Sequence, residues 1–110
     1  MLAKFYIPMS CAAAVAHTQK ALALQFGGYT RHHATGAWMQ GYTALDRSGP
    51  LIEEAVVVLE VACYQKLDEP RIHAIARKVT AYALKAAGEK DCMYIVDNQP
   101  HNIDLTKELN

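Results

Sequence analysis

The residues best suited to chemistry lie between Gly28 and Glu60. Tyr29, Trp38 and Tyr42 are aromatic residues close to turns. Glu53 follows Tyr42 by eleven positions, with Glu54 next to it, at the mouth of a valine-rich run. Two acids beside aromatic rings suit a cationic, aromatic ligand, because a carboxylate neutralises its charge and a ring face attracts it. The same residues also fit a plainer role, with Trp38 and Tyr42 capping the core edge and the acids forming a solvated strand start. On a strand, Glu53 and Glu54 point to opposite faces, so only one of them enters a given site. Glu60 shares the parity of Glu54, Val56 and Val58, and among valines it calls for a partner or a wetter face.

Other chemistries find little support. His32 and His33 are adjacent, and on a strand they diverge. His17 and His73 fall in separate helical segments, and His101 follows Pro100 in a loop. No His pair or His-Glu pair has metal-ligand spacing, so no metal is expected. The three cysteines, Cys11, Cys63 and Cys92, are scattered and form no CxxC, and they read as small hydrophobes in a reducing cytosol. There is no GxSxG, no GxGxxG and no phosphate-binding loop.

The whole chain sets the frame for these residues. Its 110 residues carry eleven Lys and Arg against eleven Asp and Glu. Zero net charge argues against a nucleic-acid or membrane-surface binder. The length predicts one domain over 1–110, able to bury roughly two-thirds of its unfolded surface in a single core. No apolar stretch reaches the roughly 20 residues that span a bilayer, and no leader is evident, so a soluble, cytoplasmic protein is expected.

Positioning falls to six elements. Leu2 to Pro8 reads as a strand. Ser10 is a good helix cap, and Cys11 to Phe26 reads as a helix with Ala12, Val15, Ala16, Leu22, Ala23 and Phe26 near one stripe, stopped at Gly27-Gly28. Tyr29 to Ala34 reads as a second strand and Thr35 to Pro50 as a long irregular stretch. Glu53 to Tyr64 is the clearest strand. Asp68 or Glu69 caps a second helix with Pro70 in its first turn. Ile72, Ile75, Ala76, Val79 and Ala83 repeat along it, and Gly88 stops it. Cys92 to Val96 is the last strand, Pro100 ends its exit loop, and 102–110 is a polar tail. The order βαββαβ is the ferredoxin-like pattern, an α+β fold with a four-stranded antiparallel sheet and two helices on one face. The other sheet face has no element to cover it, which predicts a homo-oligomer.

The sequence resembles the small phage-encoded enzymes that cleave S-adenosylmethionine, long called hydrolases and better described as lyases. Three blocks carry the resemblance. They are Phe5-Tyr6-Ile7 in the opening strand; Gly28-Tyr29, then Gly41-Tyr42, then Glu53-Glu54 before the valine-rich strand; and Lys90-Asp91-Cys92-Met93-Tyr94-Ile95-Val96, followed by Gln99-Pro100-His101. The resemblance implies a ferredoxin-like trimer similar to the PII signalling proteins, with ligand sites between subunits. The family's functional Tyr corresponds to Tyr42 and its functional Glu to Glu53 by spacing, while an alignment anchored on the strand selects Glu54. Tyr29, Trp38 and His101 are the further substrate-binding candidates.

The activity so implied needs no cofactor, since S-adenosylmethionine is the substrate. Its sulfonium is already an activated leaving group. The ligand's own carboxylate attacks its γ-carbon and releases methylthioadenosine and homoserine lactone. Such a reaction needs no protein nucleophile, which fits their scarcity here. Hydrolysis, with the Glu as general base, is the competing chemistry. Depletion of S-adenosylmethionine in a host cytoplasm would serve anti-restriction. The alternative from another class is a non-catalytic PII-like or ferredoxin-like oligomer that binds a small molecule or a partner protein.

Overall fold

The computed structural model describes residues 1–39, 49–65 and 67–109. Five strands form one antiparallel sheet: β1 (Leu2–Pro8), β2 (Thr30–Met39), β3 (Leu51–Ala62), β4 (Asp91–Val96) and β5 (Gln99–Asp104), in the order β2-β3-β1-β4-β5. Helix α1 (Ala12–Phe26) follows β1. A second helical run connects β3 to β4, built from α2 (Asp68–Ile75), a π-helical stretch Ala76–Thr80 and α3 (Ala81–Ala86), with helical backbone through both joints. The α+β class is as expected from the sequence.

Alternation on the strands selects the helix-facing side. Phe5 and Ile7 on β1, Val57 and Leu59 on β3, and Cys92, Tyr94 and Val96 on β4 are buried in one core with Leu22, Ile72, Ile75 and Leu84 from the helices. Lys4, Tyr6, Val56, Ile95 and Met93 hold the opposite parity and are half-buried or exposed. Apart from Val58, which is buried, this outer face of the sheet is left largely uncovered by the described residues. Among the described residues, no helix is long and apolar enough to cross a membrane.

Several elements differ from the sequence expectation. The sheet has a fifth strand where an exit loop and a tail were expected, so His101 lies on β5 and Asn102 to Asp104 belong to the sheet. The turn that makes this possible is Asp97-Asn98, both at positive φ (47° and 66°). Two such residues form the tight hairpin turn whose twist matches that of the strands. Pro100 sits on the outermost strand, where a missing N–H is tolerated.

Strand β2 continues through Thr35 and Gly36 to Met39, and β3 already begins at Leu51, so part of the expected irregular stretch is hairpin. Gly36 permits this continuation: a Cβ there would come within 2.9 Å of Val56 Cγ2. Cys11, not Ser10, holds the N-cap position of α1, without a side-chain cap bond, while Gly27 closes the helix at φ 83° as expected. Asp68 is the first residue of α2 rather than its cap, Leu67 being the cap.

The buried stripe of α1 is Ala14, Val15, Thr18 and Leu22, leaving Ala12, Ala16 and Ala23 exposed. In the second helical run, burial passes from Ile72, Ile75 and Ala76 to Thr80, Ala81 and Leu84. A π-helical turn adds a residue and shifts the phase, so Val79 and Ala83 are only half-buried. Thr80 on that turn meets Thr18 of α1, Oγ1 to Oγ1 at 2.7 Å, in a buried hydrogen bond between the helices.

Candidate functional site

The acids at the start of β3 lie at one end of the sheet, where β1 leaves for α1 and where the helical run ends at Gly88. Glu53 pairs with Ala37 and Glu54 with Gly36 across the β2–β3 ladder. Glu53 is exposed and Glu54 half-buried. Burial first, and then the charge of Glu89, hold Glu54 above the ordinary carboxylate range. Glu89 follows the αL residue Gly88 that stops α3, and it accepts a hydrogen bond from the Cys11 thiol at 3.6 Å. Burial and then Glu89 likewise raise Cys11, against a hydrogen bond from the Ser10 side chain that lowers it.

Neither Glu53, Glu54 nor Glu89 makes an ion pair with a described residue. This end of the sheet therefore gathers carboxylates that pair with no described cation. Such a region takes up a proton or a cationic ligand group. The sequence reading missed Glu89. The signal for it was Gly88, because a helix stop at a fixed distance from the sheet brings the next residue back beside the β1–α1 turn.

The structure does not gather all the expected residues here. Tyr42 lies outside the described residues. Trp38 is a β2 residue paired with Ile52 rather than part of a loop, and its side chain lies outside the described part. Tyr29 immediately precedes Thr30, which pairs with Glu60 at the other end of the ladder. Gly36 lies seven positions along the strand from Tyr29, roughly 23 Å away. Tyr29 is thus not brought to the acids within one protomer. Glu60, the half-buried acid among valines, finds its partner in His32, Nε2 to Oε2 at 2.9 Å.

His101 is also remote within the chain. It sits on β5, the edge strand opposite β2. There it stacks on Tyr94, with centroids 5.0 Å apart, and meets His73 edge-on at 4.9 Å. His73 Nδ1 lies 2.6 Å from the Tyr94 hydroxyl, and Glu69 lies 3.5 Å from Nε2. Burial raises the Tyr94 phenol above its ordinary value. The three cysteines are free and buried. Burial pushes Cys92 up to about 12, so it behaves as a hydrophobe.

No family model matches the chain, and no curated protein matches it. Among solved structures, the chain is similar to a phage SAM lyase in complex with S-methyl-5'-thioadenosine, with a TM-score of 0.58 over 94% of this chain and 88% of that one. At 11% identity the likeness is one of fold, and the fold of this chain is the one on which that phage SAM lyase is built.

Proposed function

We propose that this protein cleaves S-adenosylmethionine, in a site formed between protomers of a homo-oligomer. The observation that carries the reading is the approach of Glu89 to Glu54 at one end of the sheet, with Glu53 next to Glu54 on the opposite strand face and none of the three ion-paired with a described residue, in a chain with the fold of a phage SAM lyase.

Glu53 binds the α-ammonium of the ligand's methionine moiety. It is the exposed member of the adjacent pair, whereas burial and Glu89 disfavour charge on Glu54. Glu54 and Glu89 add negative potential to the same end of the sheet. Tyr42 positions the ligand by hydrogen bonding or stacking, and Trp38 is a contact for the adenosine. His101 comes from the opposite sheet edge and so belongs to a neighbouring copy. Three copies arranged edge to edge, as a PII-like trimer, bring β2–β3 of one protomer to β5 of the next. The uncovered sheet face supports association of copies.

The chemistry places modest demands on the protein. The ligand's carboxylate oxygen attacks its own γ-carbon, a C–O bond forms, and the C–S bond breaks with its electron pair going to sulfur. The products are methylthioadenosine and homoserine lactone, and no proton is transferred in the bond-changing step. The site's task is to hold the methionine chain folded in a near-attack conformer and to exclude water. A carboxylate set against the sulfonium would oppose this, because that charge vanishes in the reaction and its stabilisation favours the ground state. The acid therefore serves the ammonium, whose charge persists.

Product analysis at the earliest times tests the reading. Lactone ahead of homoserine is expected. Homoserine alone from the outset would replace the lyase with a hydrolase, and binding without turnover would favour the non-catalytic oligomer.

A further inference from the structure

The outer side of the helical layer carries a groove of about 600 Å³ between α1 and the second helical run. Its floor is made of small side chains, among them Ala21 and Ala83, with Val79. Two large apolar groups line it, one from each helix: Leu24 on α1 is 77% exposed and Tyr82 on α3 is 52% exposed. The Tyr82 ring is held in place, since its hydroxyl donates to the Leu109 carbonyl at 2.9 Å. A tethered aromatic ring over a floor of small residues is a preformed anchor that loses little entropy on binding.

The charge around this groove is one-sided. Lys20 and Lys78 line it with His17, and no Asp or Glu does. Neither lysine makes an ion pair with a described residue. In a chain with equal numbers of acids and bases, the bases here are segregated from the acids at the β3 mouth.

We infer that this groove docks an amphipathic helix of a partner protein, with its apolar face on Leu24 and Tyr82 and acidic residues flanking that face. Apolar anchors at helical spacing suit an elongated groove between two helices, and flanking acids answer Lys20 and Lys78. A second copy of this chain is a poorer occupant by charge, because it would oppose the same lysines to one another in a symmetric contact. The inference stands apart from the proposed activity.

A labelled synthetic helix of Leu, Ala and Glu, titrated into the full chain by fluorescence anisotropy, tests it. The control is the same peptide with Lys in place of Glu. The acidic peptide is expected to bind, to weaken with added salt, and to lose about tenfold in affinity against Leu24→Glu and against Lys20→Glu/Lys78→Glu. Leu24 is exposed enough for its replacement to leave the fold intact, and the lysine pair tests the same surface independently. No binding up to about 1 mM peptide, equal binding of the two peptides, or binding unchanged in both variants would overturn the proposal. A sedimenting mass that falls in Leu24→Glu would assign the groove to a second copy and overturn it as well.

Discussion

The Cys11 thiol donates to the Glu89 carboxylate across 3.6 Å, joining the start of α1 to the turn that follows α3. The same carboxylate raises Glu54 on β3. Three segments distant in sequence thus share one electrostatic neighbourhood. No described cation pairs with its carboxylates.

This neighbourhood has a pH signature. The folded-state value of Glu54 lies above its ordinary value of 4.5, so the native state holds its proton more tightly than the unfolded chain. The corresponding stability is present below the ordinary value and is lost as pH rises through the raised one. Glu54→Gln carries a permanently neutral group. Its melting temperature relative to the native protein is therefore expected to be near zero at about pH 4 and positive at about pH 7. A difference that stays constant across that range would contradict the shift.

Substitution separates the adjacent acids. If Glu53 binds the ligand ammonium as proposed, Glu53→Gln removes a charge-assisted hydrogen bond worth about 1.5–3 kcal/mol and should lower kcat/KM for S-adenosylmethionine cleavage roughly ten- to a hundred-fold. Glu54→Gln should cost only several-fold, and Tyr42→Phe about tenfold. Steady-state kinetics on the three variants is the check. An unaffected Glu53→Gln beside an inactive Glu54→Gln would move the ammonium contact to Glu54.

The edge positions of β2 and β5 make the intersubunit site testable by mixing. If Glu53 of one copy and His101 of the next act together, Glu53→Gln and His101→Ala chains are each impaired. Refolded as an equal mixture, they place both native residues in about a quarter of the interfaces and recover a matching share of activity. No recovery above the two separate variants would place the site within one chain or remove His101 from it.

The helices are joined by the buried Thr18–Thr80 bond, which is independent of activity. Thr18→Val or Thr80→Val leaves one hydroxyl buried and unpaired, at a cost of about 1–3 kcal/mol. The double variant should cost clearly less than the two single costs combined, since neither orphan remains. Urea unfolding of the four proteins measures this coupling, and strict additivity would show that the bond contributes nothing.

Much of the scaffold is legible in the sequence because the period of the apolar residues is strong. The β-branched valine run from Val56 to Val61 reads as a strand, and Gly27 and Gly88 mark helix stops at positive φ. Misreadings arise where the period is weak or altered. The alanines of α1 carry little directional signal, so the buried stripe centres on Thr18 rather than Ala16. The π-helical turn at Ala76–Thr80 changes the phase that a regular helix would keep. Strand β5 is polar and contains Pro100, and the clue to it was the Asp97-Asn98 turn rather than any hydrophobic pattern. At the site, the adjacent acids were visible from their type and spacing. Glu89 was not, because its proximity to Glu54 arises only when the helical run returns the chain to the sheet.

The central claim is tested most directly by following methylthioadenosine by chromatography when the purified protein meets S-adenosylmethionine, with Glu53→Gln alongside. The account predicts methylthioadenosine forming in proportion to native protein, well above the uncatalysed rate, and strongly reduced in the variant. Native protein that yields it no faster than buffer alone would contradict the account.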